Sequence, residues 1–521
     1  MICRAKIRRT HLFNTDPYAQ KAGTIFLSNR AFKSEKRKRR GSDVSQLERN
    51  AVGLREVVFQ SICCMAPAAA IAASIPFGAP LAGGALPLAV VFAFIGILFT
   101  ASSVGQLAAH IPSAGSVATY SAIGLRPWVG FLVGWAYVAV EILIVPLVML
   151  QLGYTVAGEW NAEQASFSDN NWWIFTVLGS VLVAWLVYRG IRTSAKVGVI
   201  LGAIEIVIFV VLGLVLIVKA GSNNDLAVFT PKYANAEGFS GWSGVIAGSV
   251  FCLLAFAGFE ASAPLAEETE NPKKNIPKAV MIATLSIGAL YALTTYAAAV
   301  TFGPDKFKDF AAYNNGVPWD GVAKGVGTVF WVLVLFAIIN STIANANGGA
   351  NVFTRTAFAF GRAGALPASL AKLHPKYKSP ANAVMVQLVL GLIISLGLGF
   401  KYKPQMAFGI VATALVVAIV PVYMLANLAC IGYFTKHRKD ERHPVIHILI
   451  PIVGFIFLVP GFFNAAGITG IPGLKFIVAL SAPLTYGAYA MGVWVVLGII
   501  ALFYLKSKNP KAIEEVATVH G

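Results

Sequence analysis

Residues 251–278, which read FCLLAFAGFEASAPLAEETENPKKNIPK, decide how this chain folds. The stretch begins as an apolar membrane-spanning helix, is interrupted at Ala257-Gly258, and carries a carboxylate, Glu260, at the depth where hydrocarbon is expected. A glycine break beside an acid is costly inside a bilayer, so it indicates a functional site rather than a packing element. In secondary transporters, interrupted helices present backbone groups to a substrate or to a coupling ion.

The composition of the 521-residue chain is that of a membrane protein, because 57% of its residues are hydrophobic, 12% are charged and the mean hydropathy is +0.71. A soluble protein carries about twice that charged fraction. Apolar runs of ~20 residues recur, each long enough to cross a bilayer core of ~30 Å as a helix. We therefore predict an all-α integral membrane protein with about twelve transmembrane helices, named spans one to twelve: 57–78, 86–111, 128–156, 172–188, 197–218, 241–265, 279–302, 322–360, 383–400, 406–433, 445–463 and 476–504.

The net charge of +18 is distributed unevenly along this predicted topology. Most Lys and Arg residues lie on the side of the N-terminus, which is the positive-inside pattern. It predicts a multi-pass protein of the plasma membrane with both termini in the cytoplasm, and a lipid bilayer rather than a nucleic acid as its surroundings. The five cysteines lie in the N-terminal segment or within spans, so no disulfide framework is predicted.

The order of spans divides the chain into five segments. Residues 1–50 are predicted to be a disordered basic cytoplasmic arm, with contact to anionic lipid as the alternative. Spans one to five (51–219) and six to ten (240–435) form two groups, since spans one and six each contain a break and each opens a set of five. Paired breaks predict two inverted five-helix repeats with a site where the broken helices meet. Two additional spans (444–505) and a cytoplasmic tail (506–521) follow.

The two breaks together predict a receptor for a zwitterion. The N-terminus of a half-helix presents free N–H groups and about half a positive charge, which suits a carboxylate, whereas a C-terminus presents carbonyls that suit an ammonium. We predict the carboxylate at the amides of residues 68–70 and the ammonium at carbonyls near Ile62, Cys63 and Phe256. The alternative is that Pro67 and Gly258 only kink ordinary helices. The predicted substrate-binding residues are Met65, Ala66, Pro67, Ala68, Ala69, Ala70, Phe256, Ala257, Gly258 and Phe259, with Tyr137, Glu141, Ser341 and Asn345 as further lining residues.

Three acidic residues lie within predicted spans: Glu141, Glu205 and Glu260. An ionised carboxylate at the bilayer centre costs about 2.5–3.5 kcal/mol, so each is predicted to face the bundle interior and is a candidate proton carrier. Glu260 adjoins the break and is the first candidate for proton coupling, Glu205 is the second, and Glu141 better suits a packing role. A cytoplasmic charge network that serves gating or packing is predicted from Glu267 and Glu268 with Lys273, Lys274 or Arg355.

Several motifs, in one order along the chain, resemble the APC superfamily of amino-acid permeases. Around the break of span six they are Gly258-Phe259-Glu260, Glu268, Asn271-Pro272-Lys273 and Ile276-Pro277; elsewhere they are Ser113-Ala-Gly-Ser116 with Tyr120, Ser194-Ala-Lys-Val197 and Gly361-Arg-Ala-Gly-Ala-Leu-Pro367. The resemblance extends over about residues 57–504. It implies a LeuT-like fold of two five-helix repeats plus two C-terminal helices, and alternating access for amino acids or related amines.

Three positions depart from the pattern of that superfamily. Many members carry Gly-Ser-Gly at the first break, where this chain has Ala69-Ala70-Ile71. Many proton-coupled members have a lysine in span five that stands in for a sodium ion, and the matching residue here is Glu205, so the coupling ion is a proton or Na⁺. Arginine exchangers have a tryptophan where this chain has Leu254, which favours neutral amino acids.

The leading hypothesis is a secondary active importer that couples neutral amino acids to protons, and the alternative is an exchanger of amino acids or amines without net ion coupling. An enzyme is not predicted, because the chain contains no HExxH, no GxSxG and no Cys/His metal set. Neither a cofactor nor a metal is expected. A continuous polar stripe would indicate a channel, and a signalling domain would indicate a receptor; neither pattern is found. The substrate side chain, the oligomeric state and the direction of transport are left open.

Overall fold

The computed structural model describes residues 52–113, 115–163, 169–190, 195–362, 366–377 and 379–508. These residues belong to one unit, Arg49–Gly521. The predictions for the basic arm, and for the tail beyond residue 508, lie outside the described residues. Helices dominate, and the strands Asn235–Ala236 and Phe239–Ser240 form one antiparallel pair.

The longer helices occupy the predicted spans, and short helices connect them. The α-helices are Leu54–Met65, Pro67–Ala69, Ala79–Ala82, Leu86–His110, Ser116–Gly124, Pro127–Glu163, Trp172–Tyr188, Ala195–Ala220, Trp242–Ala255, Pro272–Phe302, Tyr313–Gly316, Pro318–Val326, Thr328–Arg362, Ala381–Tyr402, Pro404–Lys436, Ile450–Ala466 and Thr485–Lys508. The π-helices are Ala70–Ser74 and Val445–Leu449, and the 3₁₀-helices are Pro76–Gly78, Gly83–Ala85, Asp169–Asn171, Gly221–Asn223, Leu226–Phe229, Pro231–Tyr233, Ala263–Glu267, Pro304–Ala312, Ala368–Ala371 and Lys439–Glu441.

Ten helical segments of the described chain are long and apolar enough to cross a membrane. Two shorter apolar helices, Trp172–Tyr188 and Trp242–Ala255, occupy the positions of spans four and six. An all-helical membrane protein is therefore the observed class. The count of twelve spans and the inverted repeat stay predictions.

Two predicted boundaries near span three and span eight are wrong. Span three continues through Glu163, seven residues beyond its predicted end at residue 156. Glu159 does not end the helix, because its side chain is only 4% exposed and has hydrogen-bond donors inside the protein. The segment predicted as span eight is two helices, Pro318–Val326 and Thr328–Arg362, which are separated at Gly327.

Prolines and glycines account for two further differences from the predicted boundaries. Span seven begins at Pro272 and not after Pro277, because a proline at the first helical position sacrifices no hydrogen bond. Span twelve begins at Thr485, nine residues later than the predicted residue 476. Gly467, Gly470 and Gly473 all have positive φ, and Pro483 disfavours helix in the residue before it, so the preceding segment has no helix.

Small residues let the spans approach closely. A Cβ added at Gly124 would lie 2.3 Å from the carbonyl oxygen of Ala429, and one added at Gly432 would lie 2.2 Å from the carbonyl oxygen of Gly124. Such contacts replace the hydrophobic driving force that helices lack inside lipid. They hold the bundle around the broken helices described below.

Candidate functional site

The break in span one is confined to a single residue. Ala66 has left-handed backbone angles, φ 46° and ψ 66°, between Leu54–Met65 and Pro67–Ala69. The local cause is Pro67, because the residue before a proline avoids the helical region. The second half of the span restarts at once, since proline suits the first position of a helix.

The break in span six is longer. The helix ends at Ala255, and residues 256–262 form consecutive turns before the 3₁₀-helix Ala263–Glu267. Gly258 has φ +104°, and a Cβ added there would lie 2.9 Å from the carbonyl carbon and the Cβ of Cys64. Only glycine therefore allows span six to lie this close to span one.

Side chains from neighbouring spans hold the carbonyls that the two breaks release. The hydroxyl of Tyr291, in span seven, lies 3.1 Å from the carbonyl oxygen of Met65 and 3.0 Å from that of Ala255, and donates to this pair. The side-chain amide of Asn345, in span eight, donates to the carbonyl of Cys64 over 3.1 Å. One hydroxyl thus joins the ends of both interrupted helices.

A cavity of about 50 Å³ lies between the two breaks and spans three, eight and ten. It exceeds the ~10–15 Å³ that one water molecule requires. Gln151, in span three, lines it and donates to the carbonyl of Ala69 over 2.8 Å. No charged side chain is among the lining residues, which are Cys64, Met65, Ala66, Ala69, Ala70, Ser74, Val140, Ile144, Leu147, Val148, Gln151, Leu254, Ala255, Ala257, Asn345, Leu415 and Ile419.

The predicted binding residues separate into two groups. Those that line the cavity are Met65, Ala66, Ala69, Ala70, Ala257 and Asn345, and those that do not are Pro67, Ala68, Phe256, Gly258, Phe259, Tyr137, Glu141 and Ser341. Their assignment to the substrate stays a prediction.

The two phenylalanines predicted to bind the substrate pack away from the cavity. Phe256 is fully buried and stacks on Phe94, with ring centroids 5.8 Å apart, and Phe259 packs on Tyr423 at 4.9 Å. The cavity wall is instead aliphatic. The lining residues on span three recur at helical spacing; they are Val140, Ile144, Leu147, Val148 and Gln151. That spacing is the sequence signal that could have identified them.

Glu260 joins three spans through its carboxylate, which is buried beside the break. It accepts a hydrogen bond from the hydroxyl of Tyr137, in span three, over 2.7 Å and one from the hydroxyl of Tyr423, in span ten, over 3.0 Å. The Tyr423 hydroxyl also accepts from the backbone N–H of Gly258 over 3.4 Å. The carboxylate is therefore connected to the irregular backbone of span six itself.

Glu205 occupies a corresponding position beside span one. It is 4% exposed and accepts a hydrogen bond from the side-chain amide of Asn340, in span eight, over 2.5 Å. The backbone N–H of Ala68 lies near the same carboxylate. Glu205 is therefore close to an amide that the sequence assigns to the substrate carboxylate.

Glu141 lies one helical turn beyond Tyr137 and is also buried. Its Oε2 has no hydrogen-bond partner among the described residues, and a Cβ added at Gly349 would lie 3.4 Å from that oxygen. Span eight therefore passes close to this carboxyl group.

Backbone hydrogen bonds join the segment before span one to the segment after span six. The N–H of Val52 donates to the carbonyl of Glu268 over 3.1 Å, and the N–H of Glu270 donates to the carbonyl of Val52 over 3.0 Å. No described ion pair links Glu268 to Lys273 or Lys274. The rest of the predicted charge network includes the Glu267 side chain, which lies outside the described residues.

Comparison with known proteins shows the family of this chain. The family described as amino acid permease matches residues 56–513. The chain is 26% identical over 460 residues to the branched-chain amino acid permease BcaP of Bacillus subtilis, which covers 83% of this chain and 88% of that protein. It is 27% identical over 389 residues to the low-affinity putrescine importer PlaP of Escherichia coli K12, which covers 72% of this chain and 79% of that protein. The chain belongs to the amino acid permease family of the APC superfamily.

Proposed function

We propose that this protein is a secondary active transporter that imports neutral amino acids together with protons, by alternating access across the plasma membrane. The observation that carries the proposal is the cavity between two helix breaks, whose lining contains backbone groups and aliphatic side chains but no charged side chain. Such a site suits the zwitterionic part of an amino acid and an apolar side chain.

The substrate carboxylate is proposed to bind at the start of the second half of span one. The Ala70 N–H already donates to the Ala66 carbonyl over 2.9 Å, which leaves the amides of Ala68 and Ala69 as its donors. The Ala68 amide also lies near Glu205, and we propose that the substrate carboxylate and Glu205 compete for it. Protonation of Glu205 would then favour binding of the substrate carboxylate at this amide, and binding of the carboxylate would favour protonation of Glu205.

The ammonium is proposed to bind at the carbonyl ends of the first halves of spans one and six. Met65 and Ala255 both line the cavity, and their carbonyls both accept from the Tyr291 hydroxyl. A carbonyl oxygen has two lone pairs, so each can accept from the ammonium as well. The ammonium would thereby bridge the two broken helices in the same way as the Tyr291 hydroxyl.

Aliphatic residues of spans three and ten favour a neutral side chain over a second ammonium. Ile144, Leu147, Leu415 and Ile419 lie along the cavity, and a diamine would place an ammonium against them without a counter-charge. Among the two relatives, one is named for branched-chain amino acids and the other for putrescine. The lining supports the first kind of substrate.

Glu260 and Glu205 are proposed to carry the coupled proton. Each is buried and each lies beside one helix break; Glu260 is linked through Tyr423 to the Gly258 backbone, and Glu205 accepts from Asn340 and lies near the Ala68 amide. Protonation of either acid removes an acceptor from its network and so changes the contacts of the broken span. That is the physical link required between a proton and a conformational change.

Uptake of labelled leucine, valine and putrescine into proteoliposomes tests the proposal. Purified protein is reconstituted, an inside-alkaline pH gradient is imposed, and empty vesicles are compared with vesicles preloaded with unlabelled substrate. Uptake of leucine and valine into empty vesicles that collapses with the gradient is expected. Uptake only into preloaded vesicles, independent of the gradient, would establish the exchanger instead, and sole uptake of putrescine would reject the neutral substrate.

A further inference from the structure

An acidic pair lies at the end of span three farthest from Pro127, on the face that the positive-inside pattern places outside the cell. Asp320 is in the short helix Pro318–Val326, before span eight, and Glu159 is in the last turns of span three. Asp320 is 0% exposed and Glu159 is 4% exposed. Neither belongs to the cavity or to the coupling residues proposed above.

The two carboxyl groups differ in their partners. Glu159 accepts from the side-chain amide of Asn314 over 2.6 Å and from the indole N–H of Trp331 over 2.9 Å. Both oxygens of Asp320 lack a hydrogen-bond donor among the described residues. An acid in the first turn of a helix is favoured by the helix dipole only when it is ionised. An ionised Asp320 would, however, be a buried charge without a donor, which is strongly unfavourable.

The helix that carries Asp320 packs against the outer half of span one, and the segment just before it contacts span three. It packs on the π-helix Ala70–Ser74, whose residues Ala70 and Ser74 line the cavity. A Cβ added at Gly158 would lie 2.8 Å from Val317, which immediately precedes the helix. Lys219, in span five, donates to the carbonyl of Gly325 over 3.3 Å at the other end. We call residues 313–326 the outer lid.

We propose that Asp320 is a proton-binding site of the outer lid, paired with Glu159, and that the lid closes over span one only when Asp320 is protonated. Closure without the proton would bury two carboxylates together, one of them without a donor. Opening would expose Asp320 to water and allow it to ionise. Uptake of one proton is therefore coupled to closure of the outer face.

The electrostatic surroundings agree with this assignment. Burial, and after it the charge of Glu159, raises the pKa of the Asp320 carboxyl well above its usual range. The closed lid thus binds more protons than the open lid, so closure is fully favoured at low pH and is lost as pH rises toward the raised pKa. Among the described residues, the other titratable groups on this helix and on the turn and 3₁₀-helix before it are exposed; they are Lys324, Tyr313, Asp305, Lys306, Lys308 and Asp309. Span five carries the exposed Lys219 and the buried Glu205, and span three carries the buried Glu141 and Tyr154.

Thiol labelling measures closure without any substrate. The full chain, with its native cysteines replaced, carries a single cysteine either at Ala323, which is fully buried in the outer lid, or at Gly325, which has open space around it. The Gly325→Cys protein reports the intrinsic pH dependence of a maleimide reaction. The ratio of the two labelling rates therefore reports opening of the lid alone.

The ratio is expected to rise with pH, by up to about tenfold per pH unit, because one proton is released on opening. Asp320→Asn, which keeps the shape and cannot ionise, is expected to make the ratio low and independent of pH. Glu159→Gln removes the neighbouring charge, so the rise should be smaller and should level off at lower pH. Amide hydrogen exchange of residues 313–326 in the unmodified chain, corrected for the intrinsic rate, provides the same test without cysteines.

A ratio that does not change with pH, or that changes equally in the Asp320→Asn protein, would overturn the proposal. A ratio independent of pH that falls when sodium or methylammonium is added would also overturn it, by assigning the pair to another cation. Because the labelling requires neither substrate nor gradient, its failure would leave proton symport untouched. Failure of symport would likewise leave the outer lid untouched.

Discussion

The breaks in spans one and six both interrupt a helix beside the cavity, but their backbones differ. Span one departs from helix at Ala66 alone and resumes at Pro67, whereas span six stays irregular over residues 256–262. The first break is imposed by a proline acting on its neighbour, and the second depends on Gly258, whose φ of +104° and contact with Cys64 exclude a side chain. The first break is therefore short and set by local chemistry alone, whereas the second is longer and depends both on the positive φ of Gly258 and on its contact with span one.

Gly258→Leu should have the largest effect, because its side chain would collide with the backbone of Cys64 and would have to adopt positive φ. We expect loss of amino-acid binding and of uptake. Equilibrium binding of labelled leucine to purified protein measures this. Gly397→Leu, at an exposed position of span nine with nothing within 4 Å, is the matched control and should bind normally. A wild-type dissociation constant for Gly258→Leu would place the site elsewhere.

Glu260→Gln tests the acid beside the longer break. Gln keeps an acceptor for Tyr137 or Tyr423 but cannot exchange a proton, so concentrative uptake should be abolished while binding is largely retained. Uptake against a gradient and binding are measured on the same preparation. Glu237→Gln, at an exposed acid outside the spans, should accumulate substrate normally. Normal accumulation by the Glu260 variant would exclude it as the proton carrier.

Tyr291→Phe tests the connection between the breaks. Removing the hydroxyl leaves the carbonyls of Met65 and Ala255 without that donor, and each hydrogen bond contributes about 0.5–1.5 kcal/mol. We expect a lower thermal unfolding temperature that recovers when substrate is added, because the ammonium is proposed to bind the same carbonyls. Destabilisation that substrate does not relieve would show that these carbonyls are not part of its site.

Ala66→Gly should have the smallest effect. Left-handed angles cost a residue with a side chain roughly 1–2 kcal/mol, and glycine avoids that strain but loses about 0.5–1 kcal/mol in chain entropy. The net change should be a small gain in stability. Ala72→Gly, in the continuous part of span one, has no strain to relieve and should be destabilised. The thermal unfolding temperatures of both variants test this expectation. An equal loss of stability in the two variants would show that Ala66 is not strained.

Local chemistry explains what could be predicted from the sequence. Pro67 and Gly258 act on their own backbone or on that of an adjacent residue, so the positions of both breaks follow from residue type. The role expected for Phe256 depended on which way a ring points, and that is decided by Phe94 on another span. Asp320 gave no signal because its burial arises only when its helix packs on spans one and three. The helical spacing of the aliphatic residues on span three is visible in the sequence, but the sequence does not show that these residues line a cavity.

The hydroxyl of Tyr291 has a consequence for the return of the unloaded protein. Many binding sites are destabilised when they are empty, because polar groups that the ligand would bind then lack a hydrogen-bond partner. Here the carbonyls of Met65 and Ala255 have a resident donor, and that of Cys64 has Asn345. Under the proposed alternating access, we therefore expect the empty carrier to reorient at little energetic penalty. That unloaded crossing is the step that completes a symport cycle, and it is the step that an obligate exchanger must forbid.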